Sequence, residues 1–210
     1  MRIFALALLL VTAACTTPEQ GAQSTDPFLS GPLTFRKVEG DPVPTNQQPT
    51  GYPAPHHSAD DPAVAQAKAL RQLAEGPARA QLLATFDCSA PDPLLGNDDR
   101  TLPLVTCDAG DHRYALGPVF LDGDRVMKAT AEPDATGAGH VVTVKFDQQG
   151  AQVFGDFTAA NIGSQVAILM NGRVLSAPTI QSAIPGGVVQ ITGRFTKAQA
   201  EQLAAHLNGG

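Results

Sequence analysis

The sequence predicts an α+β domain, an antiparallel sheet with helices packed on one face, preceded by a disordered tether. Three observations favour this fold class. The pair Asn171-Gly172 separates two apolar runs, which is typical of a two-residue hairpin because both turn positions need positive φ. The run over 140–146 alternates apolar and polar residues like a strand. Thr196 and Gln199 form a capping box that opens an amphipathic last helix.

The N-terminal segment MRIFALALLLVTAAC has the organisation of an export signal. Arg2 supplies a positive charge, and the apolar run from Ile3 to Val11 is shorter than the roughly 20 residues that a spanning helix needs. Small residues directly before Cys15 resemble the lipobox of bacterial lipoproteins. This resemblance implies that residues 1–14 are a signal peptide and that Cys15 is lipidated, with two acyl chains giving stable anchoring. The alternatives are an ordinary secretory signal or a short uncut anchor.

Residues 15–61 are predicted to form the tether. They are rich in Pro, Gln, Thr, Gly and Ser and carry few large apolar side chains, so they cannot bury enough surface to fold alone. One short strand is predicted inside this tract, over about 32–38. The tract also contains His56-His57, which lack nearby Cys or carboxylate ligands and are therefore interpreted as a solvated loop rather than a metal site.

A folded domain is predicted over 62–210, and it begins with a helical lead-in over 62–86. Asp61-Pro62 opens the first helix, since Asp is a good N-cap and Pro suits the first helical position. Gly76-Pro77 separates it from a second helical segment. The residues between Cys88 and Cys107 are predicted as a loop, whose Asp98-Asp99 pair lacks the spacing of a calcium-binding loop.

The compact core is predicted over 112–208 as strand, strand, helix, strand, strand, helix. Hairpins interleaved with helices argue for an antiparallel sheet covered by helices. The predicted elements are a hairpin of Val119–Leu121 with Val126–Ala131, a strand over 140–146, a helix capped by Asp147, the hairpin around Asn171-Gly172, a strand over Val188–Phe195 and the last helix.

Cysteine usage predicts a disulfide. If Cys15 carries lipid, Cys88 and Cys107 remain as an even pair in an exported chain. A bridge between them would close a loop of roughly 20 residues and contribute about 3 kcal/mol in the chain-entropy model. Two buried free thiols are the alternative.

Bulk composition and motifs exclude several function classes. The net charge of −6 argues against a nucleic-acid partner, which requires clustered Lys and Arg. No GxSxG, Walker, HExxH or CxxC motif occurs. A catalytic pair of Ser176 or Ser182 with His206 is conceivable. His206 lies at the edge of the apolar stripe of the last helix, however, where a surface histidine is the commoner explanation. Glu132 and Asp134 are interpreted as solvated loop carboxylates. We therefore predict no enzyme, no cofactor and no metal site.

Several phrases in the second half of the chain resemble the head subdomain of SecD. They are RVLSAP over 173–178, IPGG over 184–187 and QITGRFT over 190–196. The upstream phrases DCS, VTCD and YALGP are similar to SecD from actinobacteria, where the cysteine pair also occurs, and LTFR over 33–36 resembles the strand that leads into the head. The likeness is strong over Phe86–Asn208 and weak over Gly31–Val38.

The resemblance implies a binding module of protein secretion. SecD is the exported-side subunit of SecDF, whose membrane helices carry proton-path residues, and no apolar stretch after residue 15 approaches spanning length here. We therefore expect a lipid-anchored module on the extracytoplasmic face of the cell membrane that engages exported or unfolded polypeptide or the Sec translocon, without proton-driven activity of its own. The alternative is a cell-envelope lipoprotein that reuses the fold to bind a wall component or small ligand.

Overall fold

The structure, a computed structural model, describes residues 26–45, 57–110, 112–137 and 139–209. The helices in these ranges are α1 (Pro62–Arg71), α2 (Gly76–Thr85), α3 (Gln148–Ala160) and α4 (Lys197–Gly209). The strands are β1 (Leu33–Val38), β2 (Val43–Pro44), β3 (Leu104–Cys107), β4 (His112–Asp122), β5 (Val126–Pro133), β6 (His140–Phe146), β7 (Val166–Met170), β8 (Arg173–Ser176) and β9 (Val188–Phe195). In this part of the chain, no helix is both long enough and apolar enough to cross a bilayer. The predicted signal peptide, Cys15 and His56 lie outside the described residues.

The predicted fold class is confirmed, with the strands distributed over two antiparallel sheets. The larger sheet has the order β2-β4-β1-β7-β8, and β3 pairs with the other side of β4. The smaller sheet has the order β5-β6-β9. Helix α4 packs along β5 and β6, and α3 packs near β4 and β6.

The strand predicted inside the tether is present as β1, and it lies in the interior of the larger sheet. It pairs with β4 on one side and with β7 on the other. Five of its six residues are buried. The folded unit therefore includes a segment well before residue 62, because the sheet would lose its central ladder without β1.

The predicted hairpin of Val119–Leu121 with Val126–Ala131 is wrong. Strand β4 pairs with β1, whereas β5 pairs with β6, so the chain crosses from one sheet to the other at Gly123–Arg125. Turn residues between two apolar runs are compatible either with a hairpin or with a connection between two sheets. The competing partner, β1, lies far earlier in the chain, where no local pattern reveals it.

Several other local predictions are confirmed, but the loop predicted between the cysteines is wrong over its last residues, because Leu104–Cys107 form β3 and pair with β4. Asn171 and Gly172 have φ values of 51° and 78° in the β7–β8 turn. Asp61 and Asp147 cap α1 and α3 through their side chains. At the start of α4, the Gln199 N–H donates to the Thr196 hydroxyl oxygen at 3.2 Å, and the Thr196 N–H donates to Gln199 Oε1 at 3.0 Å. Each of these confirmed features depends only on neighbouring residues.

An aromatic cluster joins the two sheets. Phe35 of β1 contacts Phe146 of β6 edge-on, with ring centroids 5.3 Å apart. Phe154 of α3 completes the cluster at 5.9 Å from Phe35 and 5.4 Å from Phe146. All three side chains are buried. Edge-on aromatic pairs add to the burial of apolar area, so the cluster fixes how the sheets and α3 meet.

We expect Gly172→Ala to destabilise the fold by about 1–3 kcal/mol. Gly172 has φ +78°, and an added Cβ would lie 2.9 Å from Asp98 Oδ1. Gly186→Ala is the matched control, because that position has open space around it. Urea unfolding of both variants measures the difference, and equal free energies of unfolding would contradict the strain assigned to the turn.

Candidate functional site

The side chains considered for a Ser/His pair are engaged in separate contacts. His206 Nε2 lies 2.9 Å from the Gly31 carbonyl oxygen and donates to it. The Ser176 hydroxyl lies 3.0 Å from the Thr192 hydroxyl. Ser182 is exposed in the loop before β9. Within the described chain, these groups do not form a nucleophile with its base, and their contacts connect elements of the fold.

The histidine and carboxylates considered for metal binding also have structural partners. The expectation that no carboxylate lies near His56 and His57 is wrong for His57, whose Nδ1 lies 2.6 Å from Asp61 Oδ2 across one turn of chain. This hydrogen bond lowers the pKa of the Asp61 carboxyl. Asp99 accepts from the hydroxyl and N–H of Thr101, which lower its pKa in the same way. Across the residues that the structure describes, no group of three His, Cys, Asp or Glu side chains is placed to hold a metal ion.

Of the two carboxylates predicted in a loop, Asp134 lies in the turn after β5, whereas the prediction is wrong for Glu132, which lies on β5 and pairs with Val141 of β6. Asp134 accepts from the N–H and hydroxyl of Thr136, each at 2.7 Å, and these bonds lower the pKa of Asp134. Glu132 accepts a longer bond of 3.4 Å from Thr143. Asp134 therefore stabilises its own turn, and Glu132 makes a side-chain contact across the β5–β6 pair.

Arg36 forms the most deeply buried ion pair in the described residues. It lies on β1 and is 0% exposed, and its Nη2 is 2.6 Å from Asp98 Oδ2. Its Nη1 donates to the Leu102 and Gly117 carbonyl oxygens at 2.7 and 2.8 Å. Burial lowers the pKa of this guanidinium, and the Asp98 carboxylate opposes that shift. The ion pair ties the Asp98 loop to the central strand and to β4.

Further arginines hold the helical lead-in and the cysteine loop against the larger sheet. Arg71 of α1 donates from Nε to the Val105 carbonyl at 2.8 Å and also pairs with Asp92. Arg113 donates to the carbonyls of Ala84 and Phe86. Sequence reasoning missed these roles, because an arginine that bonds distant carbonyls has no local signature.

A disulfide joins Cys88 to Cys107, with Cα atoms 5.9 Å apart. Cys107 ends β3, so the bridge fixes the segment after α2 to the sheet. Arg173 of β8 reinforces this contact by donating to the Cys88 carbonyl oxygen at 3.4 Å. The cysteine loop and both lead-in helices are therefore attached to the sheet by covalent and charged contacts.

An apolar groove of about 430 Å³ lies between α1, α2 and the segment over 86–93. Its lining includes Leu70, Leu82, Phe86 and the prolines at 91 and 93. Leu70 is 55% exposed, although large apolar side chains are usually sheltered. The Arg71 guanidinium stacks over the Phe86 ring at 4.5 Å and supports the base of the groove. This surface can bind apolar side chains, and the sequence did not reveal it.

A family model, the P1 head subdomain of SecDF, matches residues 101–210. The protein translocase subunit SecD of Mycobacterium tuberculosis is 44% identical over 155 residues, covering 70% of this chain and 27% of that protein. SecD of Rhodobacter capsulatus is 34% identical over 150 residues, covering 71% of this chain and 27% of that protein. This chain thus spans about a quarter of the length of these relatives.

Two solved structures share the fold. A structure of SecDF, described as a membrane component that enhances protein export, has a TM-score of 0.50 and 27% identity, covering 86% of this chain and 63% of that one. A structure of SecDF in a super-membrane-facing form also has a TM-score of 0.50, with 25% identity, covering 86% of this chain and 19% of that one. The groove is lined by residues that precede the span matched by the family model.

We expect Arg36→Met to destabilise the fold by about 3–5 kcal/mol, because it leaves the Asp98 carboxylate buried without a counterion. Arg100→Met is the control, since Arg100 pairs with Asp122 at 2.6 Å while both side chains are more than 40% exposed. Loss of that surface pair should change stability by less than about 1 kcal/mol. Urea denaturation measures both, and similar losses would show that Arg36 does not hold the loop as assigned.

Proposed function

Because the chain belongs to the SecDF P1 head subdomain family, we propose that it binds exported polypeptides during protein secretion. In this proposal the domain lies on the extracytoplasmic face of the cell membrane, held there by lipid on Cys15. It works beside the Sec translocon by binding alone, without a cofactor and without proton-driven activity of its own. The disulfide between Cys88 and Cys107 is suited to that oxidising compartment.

The apolar groove is the observation that carries this proposal. Exported proteins reach the outer face unfolded, so their apolar side chains are exposed at that point. The groove volume of about 430 Å³ can take a few such side chains, and its lining is mostly apolar. Leu70 stands exposed at its border and offers a contact that requires no defined partner sequence. A binder of many clients needs this tolerance.

The rest of the chemistry on this face supports binding rather than reaction. Arg71 and Arg113 bond backbone carbonyls or a structural carboxylate. Their positive charges therefore stabilise the groove walls. An apolar surface on a rigid, crosslinked frame loses little conformational entropy on binding, which favours affinity for a flexible partner.

The proposed anchor determines where the domain works. Two acyl chains on Cys15 would hold the chain stably at the membrane, whereas one chain would be marginal. The Pro- and Gln-rich residues after Cys15 would then act as a spacer that lets the domain reach polypeptide near the translocon. We propose residues 15–61 as this spacer apart from the segment around β1, which belongs to the sheet.

We expect the protein to bind a permanently unfolded, reduced and carboxymethylated secretory protein, and not the native form of that protein. Leu70→Gln should weaken this binding roughly tenfold, because it removes one apolar contact of the size of a leucine side chain. Fluorescence anisotropy of the labelled unfolded protein measures the dissociation constants.

Met127→Gln is the matched control for this experiment. Met127 lies on β5, away from the groove, and is 58% exposed, close to the 55% of Leu70. An equal loss of affinity in both variants would remove the groove from the proposal. Failure of the wild-type protein to prefer the unfolded form would contradict the proposed function itself.

Lipid attachment is tested separately. In a bacterial host with lipoprotein processing enzymes, we expect radiolabelled palmitate to enter the wild-type protein and the membrane fraction to contain it. Cys15→Ser should abolish both, while the free-thiol variant Cys88→Ser should still be labelled. Wild-type protein that stays unlabelled would contradict the anchor and leave the polypeptide-binding test unaffected.

A further inference from the structure

The outer edge of β9 carries backbone groups that no strand of the described structure pairs with. The Phe146 N–H donates to the Gly187 carbonyl at 2.9 Å, which sets the register of β9 against β6. Because antiparallel ladders alternate, the backbone groups of Val189 and Ile191 face β6. Those of Val188 and Gln190 and the N–H of Thr192 therefore face the opposite way, before a register shift interrupts the ladder beyond Ile191. Strand β9 is the last strand of its sheet.

The side chains at these positions leave the edge accessible. Val188 is 48% exposed, and Gln190 and Thr192 are also exposed. All three are uncharged, so this run lacks the Lys and Pro residues that commonly protect edge strands. Unpaired N–H and C=O groups in a regular row can be satisfied by another extended backbone, which makes the edge a template for strand addition.

The opposite edge of the same sheet is blocked at Ala129 and poorly suited to strand addition beyond it. The Asn208 side-chain amide both donates to the Ala129 carbonyl oxygen and accepts from the Ala129 N–H, each at 2.8 Å. Asn208 therefore occupies the groups that an added strand would use. Strand β5 also carries exposed Lys128 and Glu132 and ends in Pro133, which has no N–H to offer.

The larger sheet also limits access at its β8 edge. Val174 of β8 forms a parallel bridge with Asp108, the residue that follows β3, so the sheet curls back toward itself. Strand β8 is buried except at its final residue, Ser176. Protection of the β8 and β5 edges contrasts with the run over 188–192, which no described strand pairs with and which β8 contacts at Thr192 through Ser176.

The open edge is already held in strand geometry. Val189 and Ile191 are buried in the core and anchor β9 from its inner face. Before β9, Gly187 has φ +60° and packs so closely on Ala151 of α3 that a Cβ there would clash. At the far end, Thr192 is hydrogen-bonded to Ser176. A partner strand therefore meets a preorganised edge, which lowers the entropic cost of binding.

We propose that the outer edge of β9, over Val188–Thr192, takes an extended segment of unfolded polypeptide as an additional strand of the smaller sheet. This inference rests on the proposed function and names its backbone-recognition site. Main-chain hydrogen bonds make such recognition tolerant of sequence, and the uncharged exposed face accepts varied side chains. A segment of about five residues in strand conformation matches the run. A client proline at a bonding position would lose one of the bonds.

Gln190→Pro tests the proposal directly. The Gln190 N–H points away from β6, so proline removes the group offered to the client without breaking the β6–β9 ladder. Gln190→Thr is the matched control, because it changes the same side chain and keeps the N–H. We expect the carboxymethylated secretory protein to bind Gln190→Pro roughly three- to tenfold more weakly than Gln190→Thr.

Hydrogen exchange of the wild-type protein gives a second measurement that requires no variant. The amides of Val188, Gln190 and Thr192 should exchange fast in the free protein and slow down when the unfolded secretory protein is added. Ala131, on the opposite β5 edge, is the internal comparison and should not change. This measurement decides the question if Gln190→Pro fails to fold.

The outcomes separate the two proposals. Unfolded polypeptide that binds without protecting the β9 amides overturns the edge site and leaves the proposed function standing. Equal affinities of the folded Gln190→Pro and Gln190→Thr variants for the unfolded protein would also overturn the edge site and leave the proposed function standing. If the wild-type protein binds no unfolded polypeptide, both proposals fail. If the β9 amides are already protected without polypeptide in a concentration-dependent dimer, the edge belongs to a second copy and the inference is overturned.

Discussion

The buried ion pair of Arg36 and Asp98 is the interaction on which the larger sheet and its attached loop depend. A buried guanidinium is costly unless its N–H groups find acceptors, and here Nη2 bonds the Asp98 carboxylate while Nη1 bonds the carbonyls of Leu102 and Gly117. These acceptors belong to the loop before β3 and to β4. A single side chain on the central strand therefore positions the segments on one side of the sheet.

The attached loop leads to the apolar groove, the surface that we propose binds polypeptide. Like Arg36, Arg71 and Arg113 join separate segments of the chain by donating to backbone carbonyls. They attach α1 and the segment after α2 to the larger sheet. The disulfide of Cys88 with Cys107 adds a covalent constraint. The apolar groove between α1 and α2 is then presented on a rigid frame. Charged side chains hold the segments around the groove in place, and the lining of the groove is mostly apolar.

The edges of the two sheets differ in how far they are blocked. Unpaired strand edges invite association with other chains, and proteins usually cover them. Asn208 closes the β5 edge at Ala129, and the bridge between Asp108 and Val174 curls the larger sheet. The outer edge of β9, which no described strand pairs with, is the edge at which we propose that unfolded polypeptide adds a strand. In the two proposals, the groove and the edge would recognise polypeptide with little dependence on its sequence, through apolar contacts and main-chain hydrogen bonds respectively.

Sequence by itself determined the features that depend on close neighbours. The β7–β8 turn at Asn171-Gly172, the Asp61 and Asp147 caps and the capping box of α4 follow from steric limits and hydrogen bonds within a few residues. The family was also recognisable, because several phrases occur in the right order. Only the tertiary structure decided that β1 lies inside the sheet, that β4 and β5 belong to different sheets, and that Arg36 is buried. Those outcomes depend on pairing between residues far apart in the chain, and no local period or turn signal records which distant partner a strand or a charge will find.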